Sequence, residues 1–187
     1  MAEMYEINPP PDLLQQGDVL KNIPFVLIPP LPLRIAKPFI GGKLARIVEK
    51  QALEDEEGGV RESALVDIFL KKIMVISQTC DILNRETIAV CPVYSVQEYK
   101  TRLMEALGWD DAKAQKRIDD DVSKGKTNYL FYLPPSNNFP AAVVDFQHIN
   151  TVNRELLKIE NRVICLSDFG RNLLSYNLAA FFSRPAV

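Results

Sequence analysis

Short apolar runs separated by turn formers and charged clusters make up most of this chain. "QQGDVLKNIPFVLI" (15–28) reads as a Gly-Asp turn opening a strand, which Pro24 and the prolines after it confine to a sheet edge or an early stop. Gly41-Gly42 and Gly58-Gly59 mark turns between apolar runs, and "LEDEEGG" (53–59) reads as solvated loop. "ALVDIFL" (64–70) and "IMVIS" (73–77) flank Lys71 and Lys72, either as two strands of a hairpin or as one continuous strand. "TIAVCPV" (87–93) is a short buried strand rich in β-branched residues, and "NYLFYLPP" (128–135), "AAVVDF" (141–146) and "RVICLS" (162–167) supply later ones.

Two stretches switch to helical spacing. In "SVQE", Ser95 and Glu98 form a capping-box pattern, in which hydroxyl and carboxylate satisfy the exposed N–H groups of a helix start. Tyr99, Leu103 and Leu107 then recur every fourth residue as one apolar face, and Gly108 stops the helix. A second helix starts at Asp110 or Asp111, turns Ala114, Ile118 and Val122 inward, ends by Gly125, and keeps its aspartates and lysines toward water. "SDFGRNLLSYNLAAFF" closes the chain as an amphipathic helix with Ser167 as N-cap. The pattern is β-rich, then a helical insertion over 97–126, then β again, then a terminal helix. That order describes one α+β domain, mainly β, on a small barrel or strongly bent sheet, preceded by an extended arm over 1–12 that three consecutive prolines stiffen.

Composition narrows the class. A chain of 187 residues with 47% hydrophobic residues can bury a substantial core, and a net charge of −2 gives no overall attraction to nucleic acid or anionic membrane, although a local basic patch is compatible with it. Three cysteines, Cys80, Cys91 and Cys165, with no paired spacing, argue for a reducing compartment rather than a disulfide framework. The opening residues lack a signal-peptide pattern, and "IPFVLIPPLPL" (23–33) is too short and too interrupted by proline to span a bilayer. The expectation is a soluble cytoplasmic protein without a cofactor.

The densest candidate chemistry lies in "KKIMVISQTCDILNRE" (71–86), where Ser77, Gln78, Thr79, Cys80 and Asp81 arrive as a buried strand hands over to a loop. As a binding corner, this run would act with Gln147. As an inert one, Ser77, Thr79 and Asp81 would hold backbone N–H groups of the turn. Acid–base or nucleophilic chemistry would draw on Lys71, Lys72, Cys80, Asp81, Tyr94 and His148, and a thiolate enzyme at Cys80 requires His148 against it. No spacing matches a zinc motif or a phosphate-binding glycine loop.

Four stretches, taken in order, resemble the MazF/PemK-type toxin fold, an SH3-like barrel shared with CcdB. They are "QGDVL" with Gly17 and Asp18, "IMVISQTCD", "IAVCPVYS", and "VVDFQHINTVNRELL" followed by "VICLS" and a helix. The resemblance implies an SH3-like barrel, dimerisation, and a toxin–antitoxin or phage-defence setting. It does not carry over the family's catalytic pair. Lys71 and Lys72 stand where that family has an Arg-Pro pair, and Tyr94 stands where it has threonine. The expectation is therefore a non-catalytic interaction module with a protein partner or a second copy of itself. The rival is an endoribonuclease using Lys71, Lys72, Tyr94 and His148.

Overall fold

The computed structural model describes residues 3–26, 52–54, 60–62, 68–136 and 138–183. The chain divides into two units, Met1–Phe25 with Leu70–Val187, and Val26–Phe69. Within the second, β2 (Ala52–Glu54) and β3 (Val60–Glu62) pair as an antiparallel hairpin, so Leu53 and Glu54 belong to a strand rather than to the loop read from "LEDEEGG". The turn expected at Gly41-Gly42, the residues between β2 and β3, and the beginning of "ALVDIFL" lie outside the described residues.

The first unit is α+β and carries a curled antiparallel sheet. Its strands are β1 (Val19–Val26), β4 (Ile68–Val75), β5 (Thr87–Ser95), β6 (Leu130–Leu133), β7 (Ala142–Asp145), β8 (Asn150–Asn153) and β9 (Arg162–Ile164), in the order β6-β7-β5-β4-β1-β9 with β8 also on β5. Lys71 and Lys72 lie inside β4 and do not form a hairpin tip, because no glycine, proline or asparagine interrupts the alternation there. Pro24 sits in β1 beyond the reach of β9, which pairs only with Val19 and Leu20, so its missing N–H costs no bond on that side.

Strand β5 is the hub. Its N-terminal half pairs with β8 and its C-terminal half with β7, both antiparallel. Between the two ladders, Cys91 and Pro92 face the segment 145–149, and the surplus is taken up by a 3-10 turn over Phe146–His148. The irregularity is larger than a single-residue bulge, and Pro92 stands where the ladder on the β7 and β8 side is already broken. The stretch after β7 is therefore a second short strand followed by 3-10 turns at Arg154–Leu156 and Ile159–Asn161.

Alternation assigns the two faces of the sheet. Met74, Ile76, Cys91, Val93, Phe131 and Val144 point to the main core, which Leu166 and the α4 (Asp168–Phe182) residues Leu174 and Leu178 close. Leu130 and Val143 point to the opposite face, where Tyr99 and Val122 of the insertion cover them. The insertion consists of α2 (Val96–Leu107), α3 (Asp111–Arg117) and one π-helical turn over Ile118–Val122. The capping box forms as read: Ser95 Oγ accepts from Glu98 N at 3.1 Å, and Ser95 N donates to Glu98 Oε2 at 2.7 Å. Gly108 ends α2 at φ 64°, and Ala114, Ile118 and Val122 are buried. The apolar face of α2 is shallower than its spacing suggested. Leu107 is exposed, whereas Lys100 is buried with its ammonium 2.8 Å from Asp111 of α3.

The N-terminal arm is extended and held down. Glu6 N donates to Cys165 O and Ser167 N to Met4 O, and the Tyr5 hydroxyl donates to Pro134 O. Arg162 donates to the carbonyls of Pro10 and Leu13 and pairs with Asp18, whose side chain has no solvent exposure. Burial pushes the Asp18 carboxyl above the ordinary carboxylate range, against the opposing pull of the Cys165 thiol, Gln15 N and Arg162. Among the described residues, no helix is long and apolar enough to cross a membrane.

Candidate functional site

The polar run after β4 forms α1 (Thr79–Asn84), a short helix whose corner is tied back to the sheet. Ser77 Oγ accepts from Ala89 N at 2.9 Å, and Thr79 Oγ1 from Gln16 N at 3.2 Å. Gln16 Nε2 completes the corner by donating to Ile76 O at 2.8 Å. Gln78 is the exposed N-cap and accepts a weak bond from Cys80 Sγ at 3.8 Å, while Asp81 reaches Arg85 one turn on at 3.9 Å. Cys80 is exposed, and no hydrogen bond joins it to His148. The other two thiols are buried; burial, and then Asp145, pushes Cys91 up, and Cys165 is pushed up to about 12 by burial and then by Asp18.

His148 has a different partner. The bulge brings its Nδ1 within 2.8 Å of Asp145 Oδ2, and Gln147 N donates to the other oxygen of the same carboxylate at 3.0 Å. The Asp145 side chain is 9% exposed and that of His148 43%, so the carboxylate orients an imidazole whose far edge meets solvent. Gln147 contributes through its backbone.

Lys71 and Tyr94 do come together. They project from neighbouring strands on the insertion face, with Lys71 Nζ 5.9 Å from the Tyr94 ring centre. Arg102 of α2 lies over the same ring at 4.3 Å, a residue the sequence reading passed over although it stands one helical turn after Glu98. Tyr94 is 2% exposed, and its hydroxyl is buried without a hydrogen-bond partner. Burial raises its pKa, Arg102 opposes the rise, and the Asp145 charge adds to it. Glu98 is held below the usual carboxylate range: burial acts to raise it, but the Ser95 N–H and hydroxyl and the charges of Lys71 and Lys72 outweigh that. Among the described residues, no group of three or more His, Cys, Asp or Glu is placed to hold a metal ion.

An open apolar ridge lies on the outer side of α4. Its inner side buries Gly170, Leu174 and Leu178. On the outer side Phe169, Leu173 and Tyr176, spaced i, i+4 and i+7, are 49%, 39% and 74% exposed. From Asn172 to Ser183 the helix carries no Asp, Glu, Lys or Arg. The sequence signal lies in that charge-free run, since an apolar terminal helix of this composition serves a homodimer or the core equally well. Neither a scan of the chain against protein-family models nor a search among curated proteins finds a match.

Proposed function

We propose that the protein is an SH3-like barrel of MazF/PemK type turned into a non-catalytic interaction module, and that its first partner is a second copy of itself docked through the outer face of α4. The curled antiparallel sheet, the strand opened by Gly17-Asp18 and the terminal helix after β9 support the barrel reading. On the resemblance, the setting is toxin–antitoxin or phage defence. One observation carries the functional reading: the exposed ridge of Phe169, Leu173 and Tyr176 on a helix that carries no charge from Asn172 to Ser183. A two-fold contact sets a patch against its own copy, with groups near the axis meeting their counterparts, so a patch of one charge repels itself and an uncharged apolar ridge does not. Helix ridges of this spacing also pack into the grooves of an identical helix.

Sedimentation equilibrium tests this. The protein sediments as a dimer at micromolar concentration, and Leu173→Glu weakens association by about 100-fold, because two carboxylates enter an apolar contact. The thermal midpoint measured by circular dichroism at monomeric dilution stays close to wild type, since Leu173 is an exposed residue outside the core clusters of the described residues. A wild-type protein that remains monomeric at high micromolar concentration contradicts the proposal.

The Asp145–His148 pair favours a second reading, the endoribonuclease with a substituted site, because an oriented imidazole is the common general base. In that case expression arrests growth with cleaved cellular RNA, and His148→Ala abolishes both effects. Normal growth with intact RNA removes this reading and leaves the interaction module.

A further inference from the structure

The helical insertion carries a groove of its own, on residues that neither the interaction face nor the Asp145–His148 pair uses. It is a shallow groove of about 580 Å³, most of it open to solvent. Trp109, set between the left-handed Gly108 that ends α2 and the Asp110 that caps α3, forms one wall. Lys113, Lys116 and Arg117 project from α3, and Lys126 follows the left-handed Gly125. Asp120 and Asp121 enter from the π-helical turn, a rare irregularity concentrated at functional sites. Four cations against two carboxylates make this groove locally positive on a chain whose net charge is −2.

The charges are not equivalent. Asp121 is engaged by Arg117 and lies 3.8 Å from Lys126, and Asp120 is bound by Lys124 at 2.9 Å. Lys113 is over the Trp109 ring, its ammonium 4.6 Å from the centre, and Lys116 makes no ion pair among the described residues. Two lysines therefore stand ready for an anion beside an indole, the side chain best suited to hold a flat aromatic ring or a cation. We infer that this groove binds a nucleoside phosphate, with the base on Trp109 and the phosphates on Lys113 and Lys116. The base replaces the Lys113 ammonium over the ring, and that ammonium moves to the phosphate. A free nucleotide fits better than a polynucleotide: the cations form one cluster, whereas a strand needs a basic track along its backbone.

Trp109 is the single tryptophan of the chain, so fluorescence under tryptophan-selective excitation, which leaves the six tyrosines dark, reports on this groove. The titrants are ADP, adenosine, ribose 5-phosphate and a short single-stranded oligoadenylate, with N-acetyltryptophanamide as the absorption control. ADP quenches saturably, while adenosine and ribose 5-phosphate each bind at least about tenfold more weakly, since each lacks one half of the recognition. Lys113→Ala/Lys116→Ala weakens ADP about tenfold with an unchanged circular dichroism spectrum, and Trp109→Ala does the same by equilibrium dialysis. Absence of saturable quenching by ADP overturns the inference, as does equal binding by the double lysine variant. Oligoadenylate affinity that climbs with strand length overturns the assignment to a free nucleotide.

Discussion

Arg162→Met destabilises the protein by about 3–5 kcal/mol at neutral pH, measured by urea unfolding, because it leaves a buried carboxylate without its counter-ion. Asp18 has no solvent exposure, and its Oδ2 receives Arg162 Nη1 at 3.3 Å and Gln15 N at 2.9 Å. The same guanidinium holds the carbonyls of Pro10 and Leu13, so the substitution also releases the arm. The loss depends on pH in a stated direction. The folded carboxyl of Asp18 already lies above its unfolded value, so its contribution to stability is full below the ordinary carboxylate range and is lost as pH rises through the folded value. Without Arg162 that folded value climbs further. The deficit of the variant is therefore largest near neutrality and shrinks on acidification, as Asp18 takes up its proton. Adding Asp18→Asn to Arg162→Met restores part of the stability at neutral pH, since no unpaired charge remains. A deficit that is flat with pH and unchanged in the double variant contradicts this account of the network.

Gly17→Ala comes next, with an expected loss of about 2–5 kcal/mol. Two costs combine. Gly17 stands at φ 88°, a region that strains any residue with a Cβ, and an added Cβ would lie 2.6 Å from Leu166 Cδ1 and 2.9 Å from its Cγ. Leu166 is fully buried and belongs to the main core, and it has little room to give way. Gly108→Ala separates the two costs. That glycine has φ 64° with nothing within 4 Å of a Cβ, so it loses only the conformational part, about 1 kcal/mol. Equal losses at the two positions in urea unfolding would show that the contact with Leu166 is immaterial. The site matters for the sheet because Gly17 N donates to Val75 O at 2.8 Å, fixing the start of β1 against the end of β4.

What the sequence revealed follows the range of the interactions. Ser95, Glu98, Gly108 and Ser167 were legible because caps and stops are made between residues three or four apart. Ala114, Ile118 and Val122 were legible through spacing, although the π-turn within that run was not, since one extra residue per turn leaves no compositional mark. Pro92 in "TIAVCPV" gave no hint of the bulge opposite, because the surplus residues belong to another segment, 145–149. The same bulge sets the partner of His148. Its partner Asp145 is three residues away in sequence, yet the pairing arises only where the 3-10 turn folds the two side chains together. Arg162 with Asp18 and Arg102 with Tyr94 are contacts between distant or differently oriented elements, which periodicity does not encode. The outer ridge of α4 was written in plain view, as apolar residues in a run without charge.

The most direct measurement of the central claim is disulfide capture at the middle of that ridge. Leu173→Cys is made with Cys80→Ser, which removes the one exposed native thiol, and is compared with Glu105→Cys on the exposed side of α2 in the same background. Mild oxidation converts Leu173→Cys to a covalent dimer rapidly and nearly completely, because a two-fold contact centred on α4 sets the two thiols within bonding reach, while Glu105→Cys stays monomeric. Equal, slow capture at both positions, or none at Leu173→Cys, contradicts the assignment of this face to self-association.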